Sequence, residues 1–460
     1  MQILLLIRLG RSAKADRLKE YTRSLNRINF NQAEQSTVLR KPAFQLIILL
    51  ASLMIQSGSS AAPLVIAANP VDGKQRTVFN DYIQAFRVQH PNIKVVLQIQ
   101  EHENFKSYVR NNIAKSPAIA DLIFWFGGAS LREFADKRLV RSLSALWNEN
   151  GWHSQFTRAA TDAVSWNGEQ YGLPIYYYHW GVYYRRSIFD RLDLEPPTTW
   201  RELINLSQKL LENEVKPFTL GTKNHWTAAG WFDYLNLRLN GLAFHRQLLS
   251  GCIPFSDERV RDVFVHWQQI LQAGFFIPQS DQFDWRDSLP FLYHGQAAMI
   301  LMGNFFLGSV PEKIRQDIAF FKFPEMNPDI PLYEDAPTDV LLLTQHSQNI
   351  EAANTFLEYM ASPSVQAKVA ADMNMIPTHR RAAVTQTPHI IEGARLLAEA
   401  QGLAQFFDRD TPPRFAQKAL PLFTEFVNKP SKLNLALSQL EQARTDAWSG
   451  KPPDCVQPER

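Results

Sequence analysis

The sequence lacks the short motifs that assemble the commonest catalytic and cofactor sites. It has no GxxxxGK[ST] phosphate loop, no GxGxxG after a strand, no HExxH, no CxxC and no GxSxG nucleophile elbow. The 11 His residues are scattered, with no pair at metal-ligand spacing on an obvious helix face. Asp and Glu are abundant, but a glycosidase-like carboxylate pair is defined by a distance that sequence does not give. We expect a non-enzyme without cofactor or metal, with nearly all charges on the solvated surface.

Aromatic residues are more abundant than a core of this size requires. Phe, Tyr and Trp number 54 of 460 residues, and Trp alone numbers 11. Some of them are therefore candidates for lining a ligand surface. Three further candidates, Asn69, Glu101 and Trp125, lie at the carboxyl ends of apolar runs. Ligands of α/β proteins bind at such strand ends, so we expect these side chains near a site.

The elements that position these residues alternate between strands and helices. Apolar runs predict strands at 63–68, 93–99 and 121–126, with helices at 77–88 and 105–114 between them. This alternation predicts βαβ units and a mainly parallel sheet. Thr199 and Glu202 have the spacing of a capping box. A second block from residue 175 predicts helices at 187–190, 199–211, 228–239 and 257–273 and strands at 218–221, 296–302, 318–321 and 340–343.

Positive charge is concentrated at the N-terminus. The formal net charge is +3, yet residues 1–61 carry nine Lys or Arg against three Asp or Glu, so the remaining chain has a net charge of −3. A nucleic-acid partner would require a basic face on the folded domain, and we expect none.

Residues 40–61 have the pattern of a Sec-type signal peptide. Arg40 and Lys41 precede an apolar run at 43–55, and small residues follow at 57–62. Thirteen residues are too few to span a bilayer core, which takes about 20, although a signal anchor or a buried helix is the alternative. We expect cleavage near 60–62 and a periplasmic location. Residues 1–39 would be a leader of doubtful expression, and one hypothesis is that translation starts at Val38 or Leu39.

The two cysteines, Cys252 and Cys455, are 203 residues apart. In an oxidising periplasm they either pair or remain separate, and spacing alone leaves both open.

Six segments in order resemble the extracellular solute-binding proteins of bacterial carbohydrate ABC transporters, the maltose-binding-like group. The resemblance covers about residues 63–450. It departs from the family at Arg185, where Asn is usual, and at Phe305, where Trp is common. The segments are FRVQHPNIKVV (86–96), DLIFW (121–125), YGLPIYYYHWGVYYR (171–185), PTTW (197–200), GQAAMILMGNF (295–305) and the helix 353–366 with its following Ile-Pro (376–377).

The resemblance implies an α/β, two-lobed periplasmic-binding-protein fold. Each lobe would be a mainly parallel sheet flanked by helices, and the lobes would join at hinge crossovers. We expect residues 62–174 plus 341–385 to form the N-terminal lobe and residues 175–340 plus 386–460 the C-terminal lobe.

The resemblance also assigns ligand contacts. It matches Asn69 and its loop through Asp72 to a turn that often touches ligand, and Trp125 to a sugar-contacting Trp. Tyr178 matches a position just after the crossover Pro, and Phe305 a stacking aromatic. Core packing is the alternative for Trp125 and Tyr178.

Further candidates follow from residue type and position. Tyr176 shares a face with Tyr178 if that stretch is a strand, and Asn304 is next to Phe305. Glu101 and Asp335 lie in loops beside strands. Trp226, Trp231 and Arg238 lie on a helix dense in aromatic residues, where a solvated Arg at the helix end is the alternative.

Aromatic rings stack on the C–H faces of a pyranose, and carboxylates, amides and Arg bind its hydroxyls. These residue types suit a sugar, and the resemblance implies a monomeric periplasmic binding subunit that delivers a carbohydrate to an inner-membrane permease. A secreted glycosidase and the ligand-binding partner of a membrane sensor are the alternatives. The sugar is open, and a cluster of Arg and Lys at the cleft would favour a phosphorylated ligand.

Overall fold

The computed structural model describes residues 62–70, 73–385 and 387–450, together with residues 453 and 455. The predicted leader, the predicted signal peptide and Asp72 lie outside the described residues.

Fourteen strands form four sheets within the described ranges. They are β1 (Leu64–Ala68), β2 (Val95–Ile99), β3 (Leu122–Phe126), β4 (Ser165–Trp166), β5 (Glu169–Gln170), β6 (Leu173–Tyr177), β7 (Trp180–Arg185), β8 (Lys216–Phe218), β9 (Ala297–Gly303), β10 (Ile318–Phe321), β11 (Tyr333–Asp335), β12 (Thr338–Leu343), β13 (Ile376–Pro377) and β14 (Gly402–Ala404).

Two larger sheets organise the molecule. The first has the order β13-β6-β12-β3-β1-β2 and the second the order β10-β7-β9-β8, while β11 pairs with β14 and β4 with β5. In the first sheet β1 runs parallel to β2 and β3, whereas β12 runs antiparallel to β3 and β6. In the second, β9 runs parallel to β8 and antiparallel to β7.

The strand pairing refines the expectation of mainly parallel sheets. The chain enters the second sheet through β6 and β7 and returns to the first through β12. This returning strand is inserted between β6 and β3 and runs opposite to both. Most strands of each larger sheet still share one direction, but antiparallel neighbours outnumber parallel ones. Both β6 and β12 extend across the lobe boundaries drawn from sequence.

Helices cover the sheets. Those of the described residues are α1 (Gly73–Gln89), α2 (His102–Asn112), α3 (Ala129–Asp136), α4 (Ser144–Asn150), α5 (Trp152–Gln155), α6 (Arg158–Val164), α7 (Arg186–Leu192), α8 (Trp200–Glu212), α9 (Trp226–Leu249), α10 (Glu258–Gln272), α11 (Leu289–Tyr293), α12 (Glu312–Arg315), α13 (Ile350–Ala361), α14 (Pro363–Met373), α15 (Pro388–Glu399), α16 (Phe407–Asp410), α17 (Pro413–Asn428) and α18 (Leu433–Trp448). Short 3-10 turns lie at Ser280–Gln282, Asn304–Ser309 and Pro430–Lys432.

Local sequence chemistry explains several helix starts. The predicted capping box is confirmed at α8, where Thr199 accepts from the Glu202 amide and Glu202 binds the Thr199 amide in return. Glu101 caps α2 by accepting from the amides of Glu103 and Asn104. Such caps satisfy amides that have no partner within the helix.

The core is continuous and aromatic. Strands β3 and β9 are buried along their whole length. Trp147, Trp267 and Phe156 are among its largest fully buried side chains. Many of the abundant aromatic residues are therefore structural.

Cys252 and Cys455 form a disulfide, with a Cα–Cα distance of 5.5 Å. It ties the C-terminal segment to the region just after α9, which resolves the alternative left open by spacing.

Among the helices of the described residues, none combines the length and apolar character needed to cross a membrane.

Candidate functional site

A cavity of about 1040 Å³, with the open solvent at its mouth included, is lined by residues of both larger sheets. From the first sheet and its helices come Asn69, Glu101, Phe126, Tyr176 and Asp339. Opposite them, the second sheet and its loops contribute a set of aromatic residues. We call the polar residues on the first side the polar wall and the aromatic residues on the second side the aromatic wall.

The polar wall begins at the loop between β2 and α2. Glu101 Oε2 accepts from the backbone amides of Glu103 and Asn104, at 3.0 and 3.1 Å, so the cap fixes this side chain. His102 Nδ1 lies 2.9 Å from Asn69 Nδ2. Because an amide nitrogen donates, Nδ1 is the acceptor in this pair. Burial, with Lys106 and Arg409 nearby, lowers the pKa of His102 well below its usual value, and the ring is neutral at pH 7.

A buried ion pair forms the centre of the polar wall. Arg409 Nη1 donates to Asp339 Oδ1 at 2.8 Å. The Tyr176 hydroxyl also bonds Asp339, its neighbour in the sheet register. Burial raises the pKa of Asp339, while the Arg409 guanidinium opposes that shift. The guanidinium lies 4.1 Å from the Phe126 ring centroid and 5.5 Å from that of Tyr178, so aromatic faces hold it from both sides.

A second charged group lies at the edge of the cavity. Lys106 Nζ is 3.5 Å from Glu103 Oε1 and 3.9 Å from Asp408 Oδ2. Lys106 lies on α2 and Asp408 on α16, so this contact joins the polar wall to the segment that carries Arg409.

The opposite wall is aromatic and centres on Phe305, just after β9. Its ring centroid lies 5.3 Å from that of Tyr178 and 5.6 Å from that of Trp285, both edge-on. Trp226 and Trp180 each lie 6.3 Å from it. Phe406 completes the wall by stacking on Trp180 at 4.7 Å. Phe305 and Trp226 are partly exposed and can meet a ligand, whereas Trp180, Trp285 and Phe406 are buried behind them.

Seven of the predicted site residues line this cavity. They are Asn69, Glu101, Trp125, Tyr176, Tyr178, Trp226 and Phe305. Trp125 is only 1% exposed, and its indole stacks on Phe134 at 5.2 Å, so most of its surface packs in the core. The next residue, Phe126, carries the face under Arg409.

Four predicted residues lie outside the lining, and each has another role. Trp231 packs in the core against Phe218, at 4.8 Å between centroids. Arg238 pairs with the buried carboxylate of Glu334 and donates to the carbonyl of Tyr333. Arg238 is buried, so the alternative of a solvated Arg at the helix end is wrong.

Asn304 and Asp335 are the other two. Asn304 is fully buried, and its amide nitrogen donates to the carbonyl of Asn374. Asp335 is fully buried at the end of β11, where it is paired with Ala404 of β14.

Sequence reasoning missed many of the lining residues, among them seven charged ones and the aromatic residues Phe126, Trp180, Trp285 and Phe406. The charged ones are Glu103, Lys106, Asp284, Arg286, Asp339, Asp408 and Arg409. Asp339 could have been found, because it interrupts the apolar strand β12. The segment at 406–409 (FFDR) follows a short strand, β14, that the sequence did not predict, so it carried no comparable signal.

The lining combines hydrogen-bonding groups, including those around Asp339, with aromatic rings, including those around Phe305. A pyranose has complementary surfaces, with polar hydroxyls at its rim and apolar C–H faces. Within the ranges that the structure describes, no group of three or more His, Cys, Asp or Glu side chains is arranged to hold a metal ion.

Comparison with known families finds a match to solute-binding proteins. Residues 72–367 match the family model described as bacterial extracellular solute-binding protein. An uncharacterized ABC transporter extracellular-binding protein of Pyrococcus horikoshii is 23% identical over 319 residues, which are 68% of this chain and 72% of that protein.

Solved structures extend the likeness to the whole fold. The bacterial solute receptor AcbH, described as exclusively preferring β-D-galactopyranose, gives a TM-score of 0.78 at 26% identity and covers 84% of this chain and 98% of its own. RafE in complex with raffinose gives a TM-score of 0.71 at 16% identity, over 84% of this chain and 100% of its own, and so shares the fold.

Proposed function

Because the chain belongs to the family of bacterial extracellular solute-binding proteins, we propose that it binds a carbohydrate for an ABC importer. The observation that carries this proposal is the pairing of the aromatic wall around Phe305 with the polar wall around Asp339. Ring faces pack on sugar C–H groups, and the carboxylates, amide and neutral imidazole opposite accept or donate hydrogen bonds to hydroxyls.

The fold supplies a way to enclose such a ligand. The lining comes from both larger sheets, and the connection between β6 and β7 is two residues long, Tyr178 and His179. Closure of two lobes, one built on each larger sheet, would bury the sugar. Since ligand adds contacts only in the closed form, it shifts the equilibrium toward that form.

Delivery completes the function. The closed, periplasmic, monomeric protein would dock on the permease subunits of the importer. Both relatives in sequence and neighbours in structure are binding proteins, among them sugar receptors. We extend these likenesses to this chain by proposing that it selects a carbohydrate and delivers it.

A thermal-shift screen tests the proposal. The protein of residues 62–460 is mixed with a panel of mono- and oligosaccharides, including D-galactose and raffinose. A ligand at 100 times its Kd stabilises the folded state by about 2.7 kcal/mol, which is readily visible as a higher Tm. Calorimetric titration then gives the affinity.

Two outcomes would contradict the proposal. The first is the absence of any shift across the sugar panel for a protein that melts cooperatively. The second is a sugar that stabilises the protein but is consumed on incubation, which would indicate an enzyme.

A further inference from the structure

The charged side chains that line the cavity are more acidic than basic. In the described part of the chain the lining holds five carboxylates and three cations. His102 adds no charge at pH 7 because its imidazole is neutral. The formal charge of these lining residues is therefore −2. The carboxylates are Glu101, Glu103, Asp284, Asp339 and Asp408, and the cations are Lys106, Arg286 and Arg409.

The cations are already engaged by the protein. Arg409 pairs with Asp339 at 2.8 Å and lies against the Phe126 ring. Lys106 lies between two carboxylates, those of Glu103 and Asp408. The Arg286 guanidinium lies 4.3 Å from the Trp285 ring centroid. An anionic ligand would have to compete with Asp339 for Arg409, and with Glu103 and Asp408 for Lys106.

Two carboxylates, in contrast, each keep one oxygen that can accept a hydrogen bond from a ligand. Glu101 Oε2 accepts from two amides of its own helix start, and Asp284 Oδ1 accepts from the amides of Arg286 and Asp287. Neither side chain is in an ion pair within the part of the molecule that the structure describes. The second oxygen of each carboxylate remains as an acceptor at the cavity, suited to a sugar hydroxyl.

We propose that the site selects carbohydrates that carry no negative charge and rejects their uronic acid and phosphorylated forms. The inference rests on the proposed function, because it specifies which carbohydrates that function includes. Its physical cause is like-charge repulsion within a partly enclosed cavity, where water screens charges less than in solution. A phosphate or carboxylate would also lose its hydration without gaining an unpaired Arg or Lys.

Pairs of ligands matched in shape test this selection. Isothermal titration at pH 7 compares D-galacturonate with D-galacturonamide, and D-glucuronate with D-glucuronamide, beside the parent D-galactose and D-glucose. The amide keeps the shape of the carboxylate but not its charge. In the series whose neutral members bind, we expect the uronate to bind at least about 30-fold more weakly than the amide, close to 2 kcal/mol.

A variant links the effect to the lining. Asp408→Asn removes one negative charge and one partner of Lys106, so it should reduce the uronate penalty by about fivefold or more. Asp262→Asn, on the exposed side of α10 and 56% exposed, is the matched control and should leave the penalty unchanged.

The outcomes distinguish a failure of the charge selection from a failure of the proposed carbohydrate binding. A uronate that binds within tenfold of its amide overturns the charge selection alone and leaves carbohydrate binding in place. If no neutral sugar of either series binds and the wider sugar panel also fails, the proposed function is overturned and this inference with it. An unchanged penalty in Asp408→Asn contradicts the assignment of the effect to these residues.

Discussion

Arg409 and Asp339 are 70 residues apart in the chain, and their side chains form an ion pair with an Nη1–Oδ1 distance of 2.8 Å. Asp339 lies on β12 of the first sheet, and Arg409 lies on the short helix α16, which packs beside α9. The pair therefore fixes the segment that also presents Phe406 and Asp408 to the cavity.

This relationship predicts a large cost for breaking the pair on one side. Arg409→Met leaves the Asp339 carboxylate buried and uncompensated, and we expect a loss of about 3–5 kcal/mol in unfolding free energy. The double variant Arg409→Met/Asp339→Asn should recover part of that loss. Urea denaturation at pH 7 without ligand measures both. Arg395→Met is the control, because Arg395 is 75% exposed and its pair with Glu399 should contribute little. Equal stability of Arg409→Met and wild type would contradict the structural role of the pair.

Phe305 should contribute to binding more than to stability. It is partly exposed at the centre of the aromatic wall, so Phe305→Ala removes a ring from the ligand together with its contacts to the neighbouring rings. We expect the Kd for the cognate sugar to rise about tenfold or more. Calorimetric titration measures this change, with circular dichroism melts to show that the fold is kept.

Phe291→Ala provides the matched control for Phe305. Phe291 is also partly buried, and it packs edge-on against Phe283 without lining the cavity. Its removal should leave the Kd within about twofold of wild type. Equal losses of affinity in the two variants would refute a direct role of Phe305.

The buried carboxyl of Asp335 predicts a pH dependence of stability. Both of its oxygens lack a partner among the described residues. Burial raises its pKa well above the usual value of about 3.9. The folded state then keeps a proton that the unfolded state releases. The stability linked to that proton is fully present below about pH 4 and is lost as the pH rises toward the folded-state pKa.

Asp335→Asn removes this loss because its amide does not titrate. Between pH 4 and pH 8 the variant should become progressively more stable relative to wild type, by at most about 1.4 kcal/mol per pH unit. Urea denaturation at each pH measures the difference. The exposed Asp262→Asn variant should show no such trend, and a flat difference for Asp335→Asn would disprove the assignment.

Gly393 marks a close approach between α15 and the connection joining β6 to β7. A Cβ at this position would lie 2.0 Å from His179 Nδ1, inside van der Waals contact. Gly393→Ala should therefore destabilise the fold by about 1–3 kcal/mol, and by more if the buried imidazole cannot shift. Gly73→Ala is the control, because a Cβ there meets no atom of the described residues within 4 Å. Thermal melts of both variants test this, and equal melting temperatures would show that the imidazole relocates freely.

The sequence predicted those parts of the fold that depend on local pattern. The strands β1, β2 and β3 are short apolar runs, and the start of α8 is a capping box, so both could be read directly. The insertion of β12 between β6 and β3 depends on contacts across more than 160 residues, and no local pattern encodes it.

The site residues show the same difference between local pattern and long-range contact. Asn69, Tyr178 and Phe305 were accessible through strand ends and family motifs. Arg409 was not, because its partner Asp339 is distant in sequence and its own helix is one turn long. Arg238 illustrates the opposite error: its helical position is compatible with a ligand contact, and only the tertiary partner Glu334 shows its structural role.

The aromatic wall gives the protein a built-in optical signal. The indoles of Trp180, Trp226 and Trp285 lie within 5.6–6.3 Å of the Phe305 ring. If a sugar binds as proposed, it would replace water at the partly exposed Trp226 and alter the surroundings of the buried Trp180 and Trp285, so tryptophan emission would report occupancy without any label. Under the proposed function, this cavity would be a starting point for a reagentless sensor, in which the side chains that contact the ligand also report its presence.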